Sequence, residues 1–295
     1  MTDKTEQIVD FPPDRPVLIA GPTASGKSAL ALAIATAQGR VIVNADALQV
    51  WSCWRVLSAR PTPEEHARVP HLLFGHRAPG QDYSVGHWLR EVAGVLRQHP
   101  APVIVGGTGL YLSALTEGLV EIPATPPDIR AEADRRMATD GAGALLSELD
   151  MATRQMVDAQ NPMRIQRAWE VLRATGRGLA LWQGDTGPAL VPPATASLLR
   201  LDCNRDTLAA RIDQRFDKMM GAGALDEVAA LLSQWDPAAL WAKAIGGPQL
   251  VAYMQGQIPL AHAISLAKAA SRQYAKRQRS WLRRRMQGWT AVPVA

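Results

Sequence analysis

Cysteine is scarce in this chain. Cys53 and Cys203 are the only two thiols in 295 residues. They are isolated, too few for a zinc cluster, and a chain of this length needs no disulfides, so they read as free thiols of a reducing compartment. The six histidines, His66, His71, His76, His87, His99 and His262, show no H-E-x-x-H pattern or paired spacing, and no metal role falls to them. No apolar run approaches the length that spans a bilayer. The N-terminal residues mix Asp, Lys, Glu and Gln without the basic-then-apolar order of a signal peptide. The expectation is a cytoplasmic protein with no membrane partner and, by default, a monomer.

Acidic residues are missing from the last stretch of the chain. Between Ala261 and Ala295 there is no Asp or Glu, while Lys268, Arg272, Lys276, Arg277, Arg279, Arg283, Arg284 and Arg285 all fall there. These cations outnumber the net charge of +5, so the rest of the chain is net negative and the positive charge is local. Arg272, Lys276, Arg279 and Arg283 follow an i, i+4, i+7, i+11 spacing, which lines them along one helical face suited to a polyanion. The remaining composition, 47% hydrophobic and 20% charged, is that of an ordinary globular protein.

Short apolar runs alternate with helical patterns. Val17–Ala20, Val41–Val43 and Val103–Val105 read as buried strands, and Lys27–Ala37 and Val85–Gln98 as helices. That alternation implies a parallel sheet. Residues 128–180 are helical in pattern, bounded by the Pro-rich segment 123–127 and the Gly/Pro-rich segment 184–193. Leu198–Asp202 reads as a strand returning to the sheet. Helices follow at Asp206–Met220, Ala224–Gln234 and about 259–287. The expected architecture is an α/β, P-loop NTPase-like parallel sheet core, 1–122 and 196–295, with an inserted helical domain at 123–195.

Gly21-Pro22-Thr23-Ala24-Ser25-Gly26-Lys27-Ser28 matches G-x-x-x-x-G-K-[ST] in full, after a strand and before a helix. Its backbone amides and the helix N-terminus suit phosphate oxygens, Lys27 suits an outer phosphate, and the Ser28 hydroxyl suits Mg²⁺. No strand ends in the Asp of a Walker B motif, since Val103–Val105 runs into Gly106-Gly107. Asp46 follows the second strand and Thr108 the third, so both belong to the strand-end rim where open parallel sheets bind ligands. Either could also serve as a helix cap. Trp169, Trp235 and Trp281 fit core positions. Trp51 and Trp54 follow the Asp46 loop, where burial and stacking on a base are both open.

The combination of this P-loop, Asp46-x-x-Gln49, and Val105-Gly106-Gly107-Thr108-Gly109-Leu110-Tyr111 resembles the tRNA dimethylallyltransferase (tRNA isopentenyltransferase) family. Asn161–Val171 with Thr175-Gly176, Arg211–Val228, and Arg272-Gln273-Tyr274-Ala275-Lys276-Arg277-Gln278 with Trp281 are similar to its later motifs. The likeness runs over roughly 16–286. The chain departs from the family pattern at Ala47, usually Ser, at Leu57–Pro61, usually Gly-Thr-Ala-Lys-Pro, at Phe74–His76, where an acid is usual, and at Gly246-Gly247, usually Gly-Tyr. With two cysteines, no C-terminal zinc finger of the kind seen in eukaryotic relatives is expected.

The resemblance implies dimethylallyl diphosphate as donor and, as acceptor, the exocyclic amine of the adenosine 3′ of the anticodon in tRNA. Asp46, Thr108, Lys27 and Arg215 would be catalytic. Gly21 to Ser28 would hold the diphosphate with Mg²⁺. Asp46, Ala47, Leu48, Gln49, Thr108, Arg130, Arg164, Arg167 and the basic face of the last helix would meet the tRNA anticodon stem-loop. A P-loop kinase of a small metabolite, a prenyltransferase for free adenine nucleotides and a non-enzymatic RNA-binding module are the competing readings.

Overall fold

A computed structural model of the chain describes residues 11–294. Residues 1–10, whose composition argued against a signal peptide, and residue 295 lie outside the described residues. The described chain divides into two compact units. One comprises the residues up to Glu117 together with those from Leu190, and the other is Gly118–Ala189. Both boundaries fall a few residues ahead of the joints expected at 123 and 195.

The first unit is built on a six-stranded sheet, β1 (Val17–Ala20), β2 (Ile42–Asn44), β3 (His71–Leu72), β4 (Val103–Gly106), β5 (Ser197–Cys203) and β6 (Thr290–Val294), in the order β3-β2-β4-β1-β5-β6. Every pairing is parallel. β1, β2 and β4 are buried on both faces, which is why they read as continuous apolar runs rather than alternating ones. Leu18, Ala20, Val43 and Ile104 feed one core, and Val17, Ile19, Ile42, Val103 and Val105 feed the other. Helix α1 (Lys27–Gln38) covers the second core with Ala31, Leu32, Ile34 and Ala35, and ends at Gly39, whose φ of 63° lets the chain turn back.

Helix α3 (Val85–Gln98) and strand β4 follow the sequence pattern closely. Pro61, Pro63 and Pro70 give the stretch around them no regular pattern in the sequence, but the structure forms α2 (Pro63–Arg68) there, followed by β3. A reciprocal capping box between Thr62 and Glu65 starts that helix. The expected helix over Ala224–Gln234 is broken into α11 (Ala224–Ala229) and a 3₁₀ turn, Leu232–Gln234. Strand β6 escaped notice because it is short and contains Pro293. An edge strand bonds on one side only and tolerates the missing N–H. The remaining helices of this unit are α4 (Gly109–Glu117), α10 (Arg205–Gly221), α12 (Gly247–Met254) and α13 (Leu260–Arg285). No helix among the described residues is long and apolar enough to cross a membrane.

Indoles anchor this unit. Trp54 and Trp88 are fully buried, and each has its single donor bonded to a carbonyl, that of Trp241 at 2.7 Å and that of Asn44 at 2.7 Å. Burial with the N–H satisfied makes truncation of such a residue cost about 3–5 kcal/mol. Trp51 is also buried, in edge contact with Tyr83. Burial therefore takes both Trp51 and Trp54 away from any role in stacking on a base.

The second unit is entirely helical: α5 (Pro127–Thr139), α6 (Gly141–Ser147), α7 (Met151–Met156), α8 (Pro162–Thr175) and α9 (Leu179–Gln183). Its core gathers Ala133, Leu145, Leu149, Ile165, Ala168 and Trp169. The Trp169 indole donates to Glu148 at 2.7 Å, and the guanidinium groups of Arg136 and Arg173 each lie 5.4 Å from its ring.

Candidate active site at the strand-end rim

The parallel register brings three loops to one rim. Ala20 pairs with Gly106 and Asn44 with Val105, so the loops that follow β1, β4 and β2 leave the sheet side by side. Gly106 makes this possible, since a Cβ there would lie 2.0 Å from the Ala45 carbonyl oxygen. These loops carry the P-loop, Thr108 and Asp46.

In the P-loop, Ala24 and Gly26 adopt positive φ, 63° and 88°. The alanine bears strain of about 1–3 kcal/mol, of a kind that collects at ligand-binding turns. Ser25 is fully buried between them. Its hydroxyl has no partner among the described residues, and it lies 2.6 Å from where a Cβ on Gly21 would fall. Gly26 forms the N-cap of α1, so Lys27 and Ser28 open the helix at its positive end. The Lys27 ammonium lies 3.4 Å from the Pro22 carbonyl. Burial pushes its pKa down to about 8, with Asp46 opposing the shift and Arg215 adding to it. Arg215, on α10, donates to the Thr23 hydroxyl, and burial lowers its pKa against the pull of Asp46. The cradle thus brings together two desolvated cations and one nearby carboxylate, an arrangement of charge suited to an anion.

Asp46 is oriented by its own turn. Its Oδ1 accepts the Leu48 N–H at 3.0 Å, while its backbone N–H donates to Asn44 Oδ1 at 2.8 Å. The Asn44 amide donates to the Asp46 and Leu73 carbonyls. Thr108 Oγ1 accepts the Ala47 N–H at 2.9 Å. Asp46 and Thr108 are thereby brought to adjoining turns, and Asp46 to the P-loop cations.

Two connected cavities meet at Asp46, Thr23, Arg215 and Ser58. The larger opens to solvent and is lined in part by Lys27, Ser28, Gln49, Arg211 and Lys218. The smaller is lined by the apolar side chains of Leu48, Leu57, Ile212, Phe216, Met219 and Ile245 together with Ser271 and Tyr274. Leu57 therefore puts an apolar side chain into this cavity where the family pattern has glycine. At Gly247, where the pattern has tyrosine, a Cβ would lie 3.3 Å from Trp235, whose indole takes up that space.

Other expected contacts are already engaged. The Gln49 amide donates to the Ser58 and Ala59 carbonyls at 2.9 and 2.8 Å, so only its carbonyl oxygen is left for RNA. Arg272 is paired with Asp213 at 2.5 Å and Arg283 with Asp202 at 2.8 Å. The basic face is partly neutralised by acids from α10 and β5, which the spacing of its own cations could not reveal. Lys276 is exposed and lines the groove between α10 and α13 together with Arg205, Arg272 and Arg279. In the helical unit, Arg130 and Arg167 flank the buried Glu170 at 3.0 and 3.8 Å while staying about half exposed, and Arg164 is exposed in the first turn of α8.

Three residues gained no role from the sequence. Glu227 accepts the consecutive N–H groups of Arg55, Val56 and Leu57 at 2.5, 2.9 and 2.9 Å, and so fixes the loop that lines both cavities. Gln278 bonds to Thr23 and Gly107. The Tyr274 hydroxyl lies in hydrogen-bonding contact with Thr108 and Gln278, and burial raises its pKa. Each falls inside a motif quoted above, and the motif was the only sequence signal for it.

The family model described as IPP transferase matches residues 49–285, and that described as isopentenyl transferase matches 15–77. A protein of Cereibacter sphaeroides named tRNA dimethylallyltransferase is 62% identical over 96% of this chain and 90% of its own length. One of Paracoccus denitrificans with the same name is 56% identical over 100% of this chain and 99% of its own. Among solved structures, a tRNA isopentenylpyrophosphate transferase of Bacillus halodurans is similar with a TM-score of 0.68 and 29% identity, over 95% of this chain and 90% of that one. A eukaryotic dimethylallyltransferase acting on tRNA shares the fold with a TM-score of 0.80 at 22% identity, over 94% and 73%.

Proposed function

The chain belongs to the tRNA dimethylallyltransferase family, and from that membership and the geometry of the rim we propose that it moves the dimethylallyl group of dimethylallyl diphosphate onto the N6 amine of the adenosine immediately 3′ of the anticodon. It is a transferase with a P-loop NTPase-like fold. The observation that carries the finer reading is the junction at Asp46 of a cationic cradle with a cavity that Leu48, Leu57, Phe216 and Met219 help to line.

In this reading Gly21, Pro22, Thr23, Ala24, Ser25, Gly26, Lys27 and Ser28 hold the diphosphate as a leaving group. The prenyl tail lies against Leu57, Phe216 and Met219. The allylic C–O bond breaks, and its electron pair leaves with the diphosphate, whose growing charge meets Lys27 and Arg215. The amine nitrogen forms the new C–N bond and loses a proton to Asp46, whose carboxylate is aimed by the Leu48 N–H. Thr108 fixes the acceptor turn through Ala47.

Magnesium fits this rim. The Ser28 hydroxyl is a hard oxygen donor in the first turn of α1 and lines the cradle. Among the described residues no three His, Cys, Asp or Glu side chains converge, so the other ligands would be diphosphate oxygens and water. When bound, the ion would supply charge neutralisation at the leaving group.

The target base must leave the stacked anticodon loop, at a cost of a few kcal/mol. Lys276, Arg279 and the shared cations Arg272 and Arg283 offer phosphate contacts on α13, and Arg130, Arg164 and Arg167 offer them on the helical unit. The protein acts as a monomer.

The test is direct. Purified protein is incubated with unmodified tRNA, dimethylallyl diphosphate and Mg²⁺, and the digested nucleosides are weighed. An adenosine heavier by one dimethylallyl group, absent with Lys27→Ala, is the expected result. Diphosphate binding without any modified nucleoside would overturn the RNA acceptor.

A further inference from the structure

Helix α13 reaches the rim from behind. Its buried stripe, Ala263, Ala267, Ser271, Ala275, Gln278 and Leu282, is apolar except where it meets the site. Gln278 is only 6% exposed and uses both ends of its amide. Oε1 accepts the Thr23 N–H at 2.9 Å, and Nε2 donates to the Gly107 carbonyl at 2.9 Å. Thr23 belongs to the phosphate cradle and Gly107 to the turn that carries Thr108.

The sheet stops holding these two loops together just before this point. The last β1–β4 partners are Ala20 and Gly106, followed by a bond of 3.3 Å from the Gly21 N–H to the Gly106 carbonyl. Beyond it the chains part into α1 and α4. Gln278 spans the gap, and a Cβ on Gly107 would lie 2.2 Å from its Nε2. One turn away on the same helix, Tyr274 contacts Thr108 and Gln278.

We propose that Gln278 is a positioning residue whose amide sets the register of the phosphate cradle against the Gly107–Thr108 turn, and with it the aim of the donor carbon at the acceptor amine. The inference rests on the transferase reading above. Each loop binds its own substrate, and Gln278 governs only the relation between them. Its loss therefore acts on kcat and leaves the two ground-state affinities in place, because a displacement of an ångström or so between reactants is felt in the transition state.

The chemistry of the bridge supplies a specific test. It requires one acceptor and one donor on the same group, which an amide has and a carboxylate lacks. A protonated carboxyl has both. Gln278→Glu keeps the length of the side chain but loses the donor while it is ionised. Burial and the Gly107 carbonyl oxygen raise its pKa, against the Thr23 N–H and the cradle cations Lys27 and Arg215, with Asp46 and Tyr274 on the same rim.

Gln278→Met and Gln278→Glu are compared with the wild type by single-turnover prenylation of an anticodon stem-loop. Dissociation constants are measured for inorganic diphosphate with Mg²⁺ and for the stem-loop. The expected result for Gln278→Met is a loss of about 10- to 100-fold in rate, with both affinities within about threefold of wild type. For Gln278→Glu, the deficit relative to wild type at the same pH shrinks as the pH is lowered from about 8 to about 6. Full activity in either variant at about pH 8, a loss confined to the affinities, or a deficit that ignores pH would each overturn the proposal. If the methionine variant does not fold, the pH profile of the glutamate variant decides alone. A wild-type protein that does not prenylate the stem-loop would instead overturn the reading of the function.

Discussion

The hydroxyl of Thr108 lies 2.9 Å from the amide nitrogen of Ala47 and accepts its hydrogen. That bond ties the turn after β4 to the turn after β2, and so joins Thr108 to Asp46 through one backbone step. Thr108→Ser keeps the oxygen and should keep most of the activity. Thr108→Ala removes it, and kcat should fall on the order of 10- to 100-fold through misplacement of the acceptor turn. Steady-state rates with a stem-loop substrate check both variants.

Asp46→Asn is nearly isosteric, and its side-chain oxygen can still accept the Leu48 N–H. What it loses is the capacity to take the amine proton. The expected effect is a fall in kcat of about 10²–10⁴ with stem-loop affinity retained. Retained activity would remove Asp46 from the role of base.

Lys27 gives the cradle a pH limit. Its pKa is lowered by burial to about 8, and only the ammonium form attracts an anion. Relative to Lys27→Arg at the same pH, wild-type affinity for inorganic diphosphate should weaken as the pH rises past that value. Lys27→Arg stays charged across the range. The sign is opposite for the stability of the unliganded fold. Between about 8 and the ordinary lysine value of 10.5 the unfolded chain binds more protons, so this group's contribution to stability rises with pH across that window. Titration calorimetry and melts across the range separate the two effects.

Glu227 holds three consecutive backbone amides of the 55–57 segment. Glu227→Ala leaves them without their charged acceptor and should destabilise the first unit by about 1.5–3 kcal/mol, a charged hydrogen bond's usual worth. Because Leu57 and Ser58 line the cavities, KM for the donor should rise as well. A chemical melt together with donor titration reads both outcomes.

In the helical unit, the Glu148 carboxyl is held down to about 2 by its bonds to Arg136 and then to Trp169. A depressed carboxyl contributes stability above its unfolded pKa that is lost as the pH falls through the folded value. Trp169→Phe removes one of those donors and should raise the Glu148 pKa, which carbon-detected NMR titration would follow.

The sequence by itself determined the features that depend on neighbours along the chain. Buried strands need apolar runs, a phosphate cradle needs glycines at fixed offsets before a helix, and a parallel sheet needs strand and helix in alternation. Asp46 and Thr108 followed from those rules, because a residue just past a parallel strand belongs to the rim whatever its side chain does. Tertiary structure alone decided which groups meet across the fold. Gln278 finds Thr23 from 255 residues away, and Glu227 finds Leu57 from 170. Arg272 gives part of its charge to Asp213, and Trp51 and Trp54 turn inward rather than toward a base. A hydrogen bond or ion pair depends on positions to within a few tenths of an ångström. Packing sets that distance between remote segments, and local periodicity does not encode it.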